Sequence, residues 1–184
     1  MGSAPAAKHA TARTEQIILF RVSGQLFAVS SSSVQEVRGA DSLSGPTSEV
    51  AHPSLRKVKR VVSRGGKALF VVSGALHFGL PPAPAALVFV LRNTRTALLV
   101  DGIEKMTTMT RLQALPQAFC HEERQWYRGL TALDQNVVPV VAPEGFLTPE
   151  EIDLLDASLI PLDSPLTPEE APQAESTGEA DWSQ

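Results

Sequence analysis

Short apolar runs broken by turn residues recur four times along this chain, and that punctuation leaves few folds open to it. Ile17–Val22 and Leu26–Val29 flank Ser23-Gly24, and Val58–Val62 and Ala68–Val72 flank Arg64-Gly65-Gly66. Leu87–Leu91 and Thr96–Val100 flank Asn93-Thr94, while Leu130–Leu133 and Val137–Val141 flank Asp134-Gln135-Asn136. The runs are rich in Val, Leu and Ile, and β-branched residues pack well on a pleated surface. Gly24, Gly66 and the asparagines supply the positive φ that tight hairpin turns need. Four hairpins predict an all-β chain, folded as barrels or a sandwich.

Leu80-Pro81-Pro82-Ala83-Pro84 lies between the second and third hairpins. Its prolines fix φ and remove amide donors, so no strand or helix continues through it. The break leaves two hairpins on each side. Two small barrels follow as the expectation, the first over about residues 15–80 and the second over about 86–147.

Two helices are also signalled. Ser33-Val34-Gln35-Glu36 has the Ser-x-x-Glu spacing of a capping box, which predicts a short helix after the first hairpin, ended by Gly39. Thr148-Pro149-Glu150-Glu151 adds proline at the first helical position and predicts a C-terminal helix over 149–159, with Ile152, Leu154, Leu155 and Leu159 on its apolar face. Thr167-Pro168-Glu169-Glu170 repeats the cap but leads into Pro172 with no apolar face, and a cap alone does not hold a helix in water. Residues 1–14 read as a disordered leader and 160–184 as an acidic disordered tail.

Composition narrows the function classes. A chain of 184 residues with 43% hydrophobic and 20% charged residues fits one ordinary globular domain. Cys120 has no disulfide partner, no secretory core segment is visible, and every apolar run falls far short of the roughly 20 residues a membrane span needs. A cytoplasmic protein without membrane insertion is expected. All 16 Lys and Arg lie at or before Arg128, whereas 12 of the 20 acidic residues follow it.

Arg56, Lys57, Lys59, Arg60, Arg64 and Lys67 form a basic strip that would attract phosphates. It lacks the interleaved aromatics that stack bases, so nucleic acid is not an expected partner. An acidic tail lying over the strip is a further expectation. Catalytic patterns are thin. Cys120-His121 places a thiol beside an imidazole, but adjacent residues rarely point together. His9, His52, His77 and His121 lack metal-ligand spacing, no phosphate-binding glycine motif is visible, and Asp101 and Asp134 fall where turns favour Asp. Neither a cofactor nor a metal is expected.

Four segments carry a family resemblance in order: Val34-Gln35-Glu36-Val37-Arg38-Gly39 after the first hairpin, Val62-Ser63-Arg64-Gly65 with the strand Ala68–Ser73, Leu98-Leu99-Val100-Asp101-Gly102-Ile103, and Tyr127–Leu133 with Val137–Val141 and Pro149–Asp156. Together they resemble the CheW-like domain family over about residues 15–158. The departures lie in the first half, where Val62-Ser63 stands for the family's Asn-Leu, Lys59 for a glycine, Ser73 for an aspartate, and the loop from Gly39 to Leu55 is long.

The resemblance implies two SH3-like five-stranded barrels packed together, a surface helix at the C-terminal end, and no catalysis. It also implies an apolar groove that binds the cytoplasmic tip of a chemoreceptor, and contact with the regulatory domain of a CheA-type histidine kinase. Val34, Glu36, Val37 and Arg38 would serve the receptor contact, with Val34 as anchor and Glu36 as rim charge. Arg64 and Gly65 would touch kinase or receptor, and Gly24, Gly66 and Gly129 would shape turns. Core packing for Val34 and Val37, and a solvated turn for Arg64, stay open beside these roles. The expected function is an adaptor in chemotaxis or motility signalling, recruited to receptor arrays at the inner membrane. The alternatives are a divergent module that has lost one partner and acts as a competitor, and, more distantly, a hydrolase using Cys120.

Overall fold

A computed structural model describes residues 14–43, 45, 47–50 and 52–159, so the leader through residue 13 and the tail 160–184 lie outside the described residues. Strands β1 (Glu15–Val22) and β2 (Gln25–Ser30) form the first hairpin, and β3 (Val34–Gly39) and β4 (Thr47–Glu49) follow. The second hairpin joins β5 (Val58–Arg64) to β6 (Lys67–Ser73), and helix α1 (Gly74–His77) leads into the proline linker. Beyond it come β7 (Leu87–Leu91), β8 (Thr96–Val100), β9 (Gly102–Met109), α2 (Glu123–Trp126), β10 (Tyr127–Leu133), β11 (Asn136–Val141) and α3 (Pro149–Ser158).

The turns have the backbone that their residues favour. Gly65 and Gly66 take φ of 57° and 75° between paired Arg64 and Lys67, a two-residue turn whose twist matches that of the strands. Ser23 and Gly24, and Asp134 and Gln135, repeat that pair of positive φ values.

The fold is all-β and arranged in two sheets. A five-stranded sheet runs β10-β11-β2-β1-β9, and a six-stranded sheet runs β3-β7-β8-β6-β5-β4. This corrects the division into contiguous halves at the proline linker. The first hairpin joins the last three strands, because β2 runs parallel to β11 through Ala28 and Val140, and β1 pairs antiparallel with β9. Local turn patterns specify hairpins but say nothing of such long-range pairings. Five strands are present in the first sheet, while the second gains β4 from the long loop after Gly39. The chain leaving β9 bonds back to β10 through reciprocal amide bonds between Gln113 and Leu130 at 2.7 and 2.9 Å, which curls the first sheet toward closure. Gly129 permits this approach, since a Cβ there would lie 2.3 Å from the Gln113 carbonyl oxygen.

The central strands of both sheets are buried on both faces. Ile18, Phe20, Phe27 and Val29 of the first sheet meet Phe70, Val72, Phe89 and Leu98 of the second in one shared core. Ile17, Leu19 and Val140 fill a second cluster behind the first sheet, and Val62, Val71 and Val88 fill a third behind the other. Double-sided burial explains why Ile17–Phe20 and Leu69–Val72 are apolar throughout rather than alternating.

The expected helix from Ser33 is corrected. A single 3-10 turn covers Ser31–Ser33, and Val34 opens a strand instead. Pairing of β3 with β7 from Val34–Leu91 to Gly39–Leu87 satisfies a row of amides and buries Val34, which outweighs the roughly 1 kcal/mol of a helix cap. The C-terminal helix has its capping box: the Glu151 amide donates to Thr148 Oγ1 at 3.2 Å, and the Thr148 amide to Glu151 Oε2 at 2.9 Å. Leu155 is buried and Ile152 and Leu159 pack beside it, whereas Leu154 is 47% exposed and off the buried face.

Candidate functional site

Strand β3 is an edge of the six-stranded sheet, paired among the described residues with β7 alone. A bulge between Val34 and Glu36 resets its alternation, and the side chains beyond it reach the surface. Glu36 and Arg38, two apart on the strand, share one face and form an ion pair. Arg64, at the end of β5, donates Nη2 to Glu36 Oε2 at 2.6 Å. One carboxylate thus holds two guanidinium groups, and those hydrogen bonds, Arg38's first and then Arg64's, hold the Glu36 carboxyl below the usual carboxylate range. All three side chains are partly open to solvent, where ion pairs add little to stability. The cluster orders a surface more than it holds the fold.

Glu36, Arg38 and Arg64, singled out through the family resemblance, are therefore brought together. Val37, 37% exposed, stands between Glu36 and Arg38 on the strand. Val34 is only 7% exposed and belongs to the shared core, so its side chain is committed to packing, the reading left open beside the anchor role. Arg64 borders two shallow depressions of about 380 Å³ each, one shared with Arg38, Leu43 and Gly65 and the other with Gln35, Lys67 and Arg95.

The basic strip does not survive as one surface. Lys57 pairs with Glu151 at 2.8 Å and Arg60 donates to the Ala40 carbonyl at 2.6 Å, while Arg56 and Lys57 border a separate cleft. Cys120 is exposed, and its sulfur accepts a hydrogen bond from the Glu123 amide at 3.5 Å rather than meeting His121. Asp101 accepts from the Gly24 amide and Asp134 pairs with Lys105, so those carboxylates serve separate turns. Among the described residues no group of three His, Cys, Asp or Glu side chains has metal-binding geometry, and no helix is long and apolar enough to cross a membrane.

One feature escaped the sequence. His77, 4% exposed, sits against Trp126, Phe78 and Phe146 with ring centroids 4.6 to 4.9 Å away, and neither of its ring nitrogens has a hydrogen-bond partner among the described residues. Burial, with a smaller contribution from the Lys57 charge, pushes its pKa down to about 3, so the ring is neutral at ordinary pH. It borders a cleft of about 620 Å³ with Lys57, Glu123 and Trp126. Nothing local in Ala75-Leu76-His77-Phe78 announces this, because Trp126 and Phe146 arrive from far along the chain.

The CheW-like domain family model matches residues 16–151. The chain belongs to the CheW-like domain family. A probable chemotaxis protein CheW from Rhizobium etli is 29% identical over 143 residues, covering 74% of this chain and 89% of its own length. A chemotaxis protein CheW from Rhizobium meliloti is 27% identical over 153 residues, covering 79% and 96%. The crystal structure of the scaffolding protein TtCheW from Thermoanaerobacter tengcongensis superposes with a TM-score of 0.61 over 78% of this chain and 94% of that one, at 13% identity. That likeness is one of fold. The two-sheet fold thus matches that structure over most of its length although the first half departs from the family's motifs.

Proposed function

We propose that this protein is a non-catalytic adaptor that couples chemoreceptors to a CheA-type histidine kinase in the cytoplasm, at receptor arrays. The observation that carries the reading is the Glu36 carboxylate held between Arg38 and Arg64, next to exposed Val37 on an edge strand. An exposed apolar side chain on one face of an edge strand and an ordered ionic cluster on the other suit a reversible protein contact that wraps the edge, and the edge of β3 offers backbone groups to an extended partner segment. In this proposal Val37 is the apolar anchor on one face of the edge strand, Glu36 and Arg38 with Arg64 and Gly65 are the polar contacts on its other side, and Val34 holds the strand to the core. Membership of the family and the names of the curated relatives support the same role.

The test is a quantitative pull-down with a chemoreceptor tip fragment and a kinase regulatory-domain fragment. Val37→Asp and Arg64→Glu alter exposed positions, and each is expected to weaken binding of at least one fragment about tenfold or more, a loss of at least about 1.4 kcal/mol. Wild-type binding of one fragment alone would favour the single-partner competitor. Wild-type binding of neither would end the adaptor reading.

A further inference from the structure

The depression beside Arg64 is lined by Arg64, Lys67 and Arg95 among its charged residues, and by no carboxylate. Nearby acids do not neutralise it. Arg38, Arg64, Lys67 and Arg95 meet only Glu36 and Asp156, and Lys67 has no ion-pair partner among the described residues. Arg92, exposed at the start of the β7–β8 turn that carries Thr94 and Arg95, adds another cation. A concave surface with unbalanced charge of one sign concentrates counter-charged groups.

The chain carries such a group close by. Asp156 of α3 holds Arg95 through two hydrogen bonds of 2.6 Å, and the Leu159 amide donates to the Asp156 carbonyl at 3.1 Å. The segment 160–184 therefore follows Leu159, within a helical turn of Asp156, whose partner Arg95 lines the depression. It contains Asp163, Glu169, Glu170, Glu175, Glu179 and Asp181, and no Lys or Arg. Asp163 follows Leu159 by four residues, a reach of up to about 14 Å. A short tether supplies an effective concentration on the order of millimolar, enough for a weak ionic contact to form.

We infer that the acidic segment 160–184 of this chain occupies the depression between Arg64, Lys67 and Arg95 as an internal anionic ligand. Occupancy stands independently of the adaptor reading. Its consequence rests on that reading: a partner that uses Arg64 must first displace the segment.

The experiment uses the full chain without any partner, so the outcome does not depend on the adaptor role. A nitroxide is placed by Ser176→Cys in a Cys120→Ser background, which leaves every tail charge intact. At about 0.01 M ionic strength, where screening extends to roughly 30 Å, the amide NMR signals of Lys67, Ala68, Thr94 and Arg95 are expected to lose most of their intensity. They should recover at about 1 M salt, where the screening length falls to about 3 Å, and also when Lys67→Glu is added. Unchanged signals at these four residues overturn the inference. Broadening centred on Arg56 and Lys57, or broadening indifferent to salt, does so too.

Discussion

The Asp156 carboxylate accepts hydrogen bonds from both Nη1 and Nη2 of Arg95, each at 2.6 Å, and so ties α3 to the β7–β8 turn. Arg95 also lies 4.8 Å above the Phe70 ring and donates Nε to the Ala68 carbonyl at 3.1 Å. The planar fork makes all three contacts at once, which a lysine cannot do.

Asp156→Asn should therefore cost only about 0.5–1 kcal/mol, because the pair is partly exposed. Arg95→Ala, which also removes the ring contact and the backbone bond, should cost about 1–2 kcal/mol. Urea denaturation of the two variants measures the difference. Equal losses would show that the ion pair alone matters.

His77 predicts a pH dependence with a defined sign. Its folded pKa lies near 3 and its unfolded value near 6.5, so between these the unfolded chain binds the extra proton. Its contribution is constant at higher pH, and stability falls as pH drops through this window, by about 2 kcal/mol near pH 5. His77→Phe, matched to the aromatic surroundings, should flatten that part of the curve. A variant whose stability falls as steeply as the wild type's would remove His77 as the cause.

Gly129 predicts a steric lesion. Gly129→Ala sets a methyl group 2.3 Å from the Gln113 carbonyl oxygen and within 3.0 Å of Leu112, so the Gln113–Leu130 bridge must open. A loss of about 2 kcal/mol or more is expected, with faster hydrogen exchange at the Gln113 and Leu130 amides. Gly24→Ala, where no atom lies within 4 Å of the added Cβ, carries only the backbone cost of positive φ, about 1 kcal/mol.

Leu155 and Leu154 provide an internal comparison on α3. Leu155→Ala empties a fully buried site and should cost about 2–5 kcal/mol, whereas Leu154→Ala, at a position 47% exposed, should change stability by less than about 0.5 kcal/mol. Thermal melts of both variants decide whether the helix is oriented as described.

Hairpins were legible in the sequence because each rests on turn residues and short apolar runs that need no distant information. The capping box at Thr148 was legible for the same reason, while the similar signature at Ser33 misled because β7, 48 to 57 residues away, claims Val34–Gly39 as a strand partner. Strand β9 went unread, since its Gly-Ile-Glu-Lys-Met-Thr-Thr-Met shows no dense apolar run and gains its place from β1. The site divides likewise. Residue type and family resemblance singled out Glu36 and Arg64, but their contact across 28 residues and the burial of Val34 depend on tertiary packing.

The interleaving of the two sheets sets an order on biosynthesis. The first hairpin leaves the ribosome well before β9, β10 and β11, whose last residue is Val141. At about 5–20 residues per second it waits on the order of 5–25 s with both its outer edges unpaired. During that interval the nascent chain is open to capture by chaperones or by another copy's β9–β11, so slowing translation between Val22 and Gly102 should raise the yield of swapped dimers rather than improve folding.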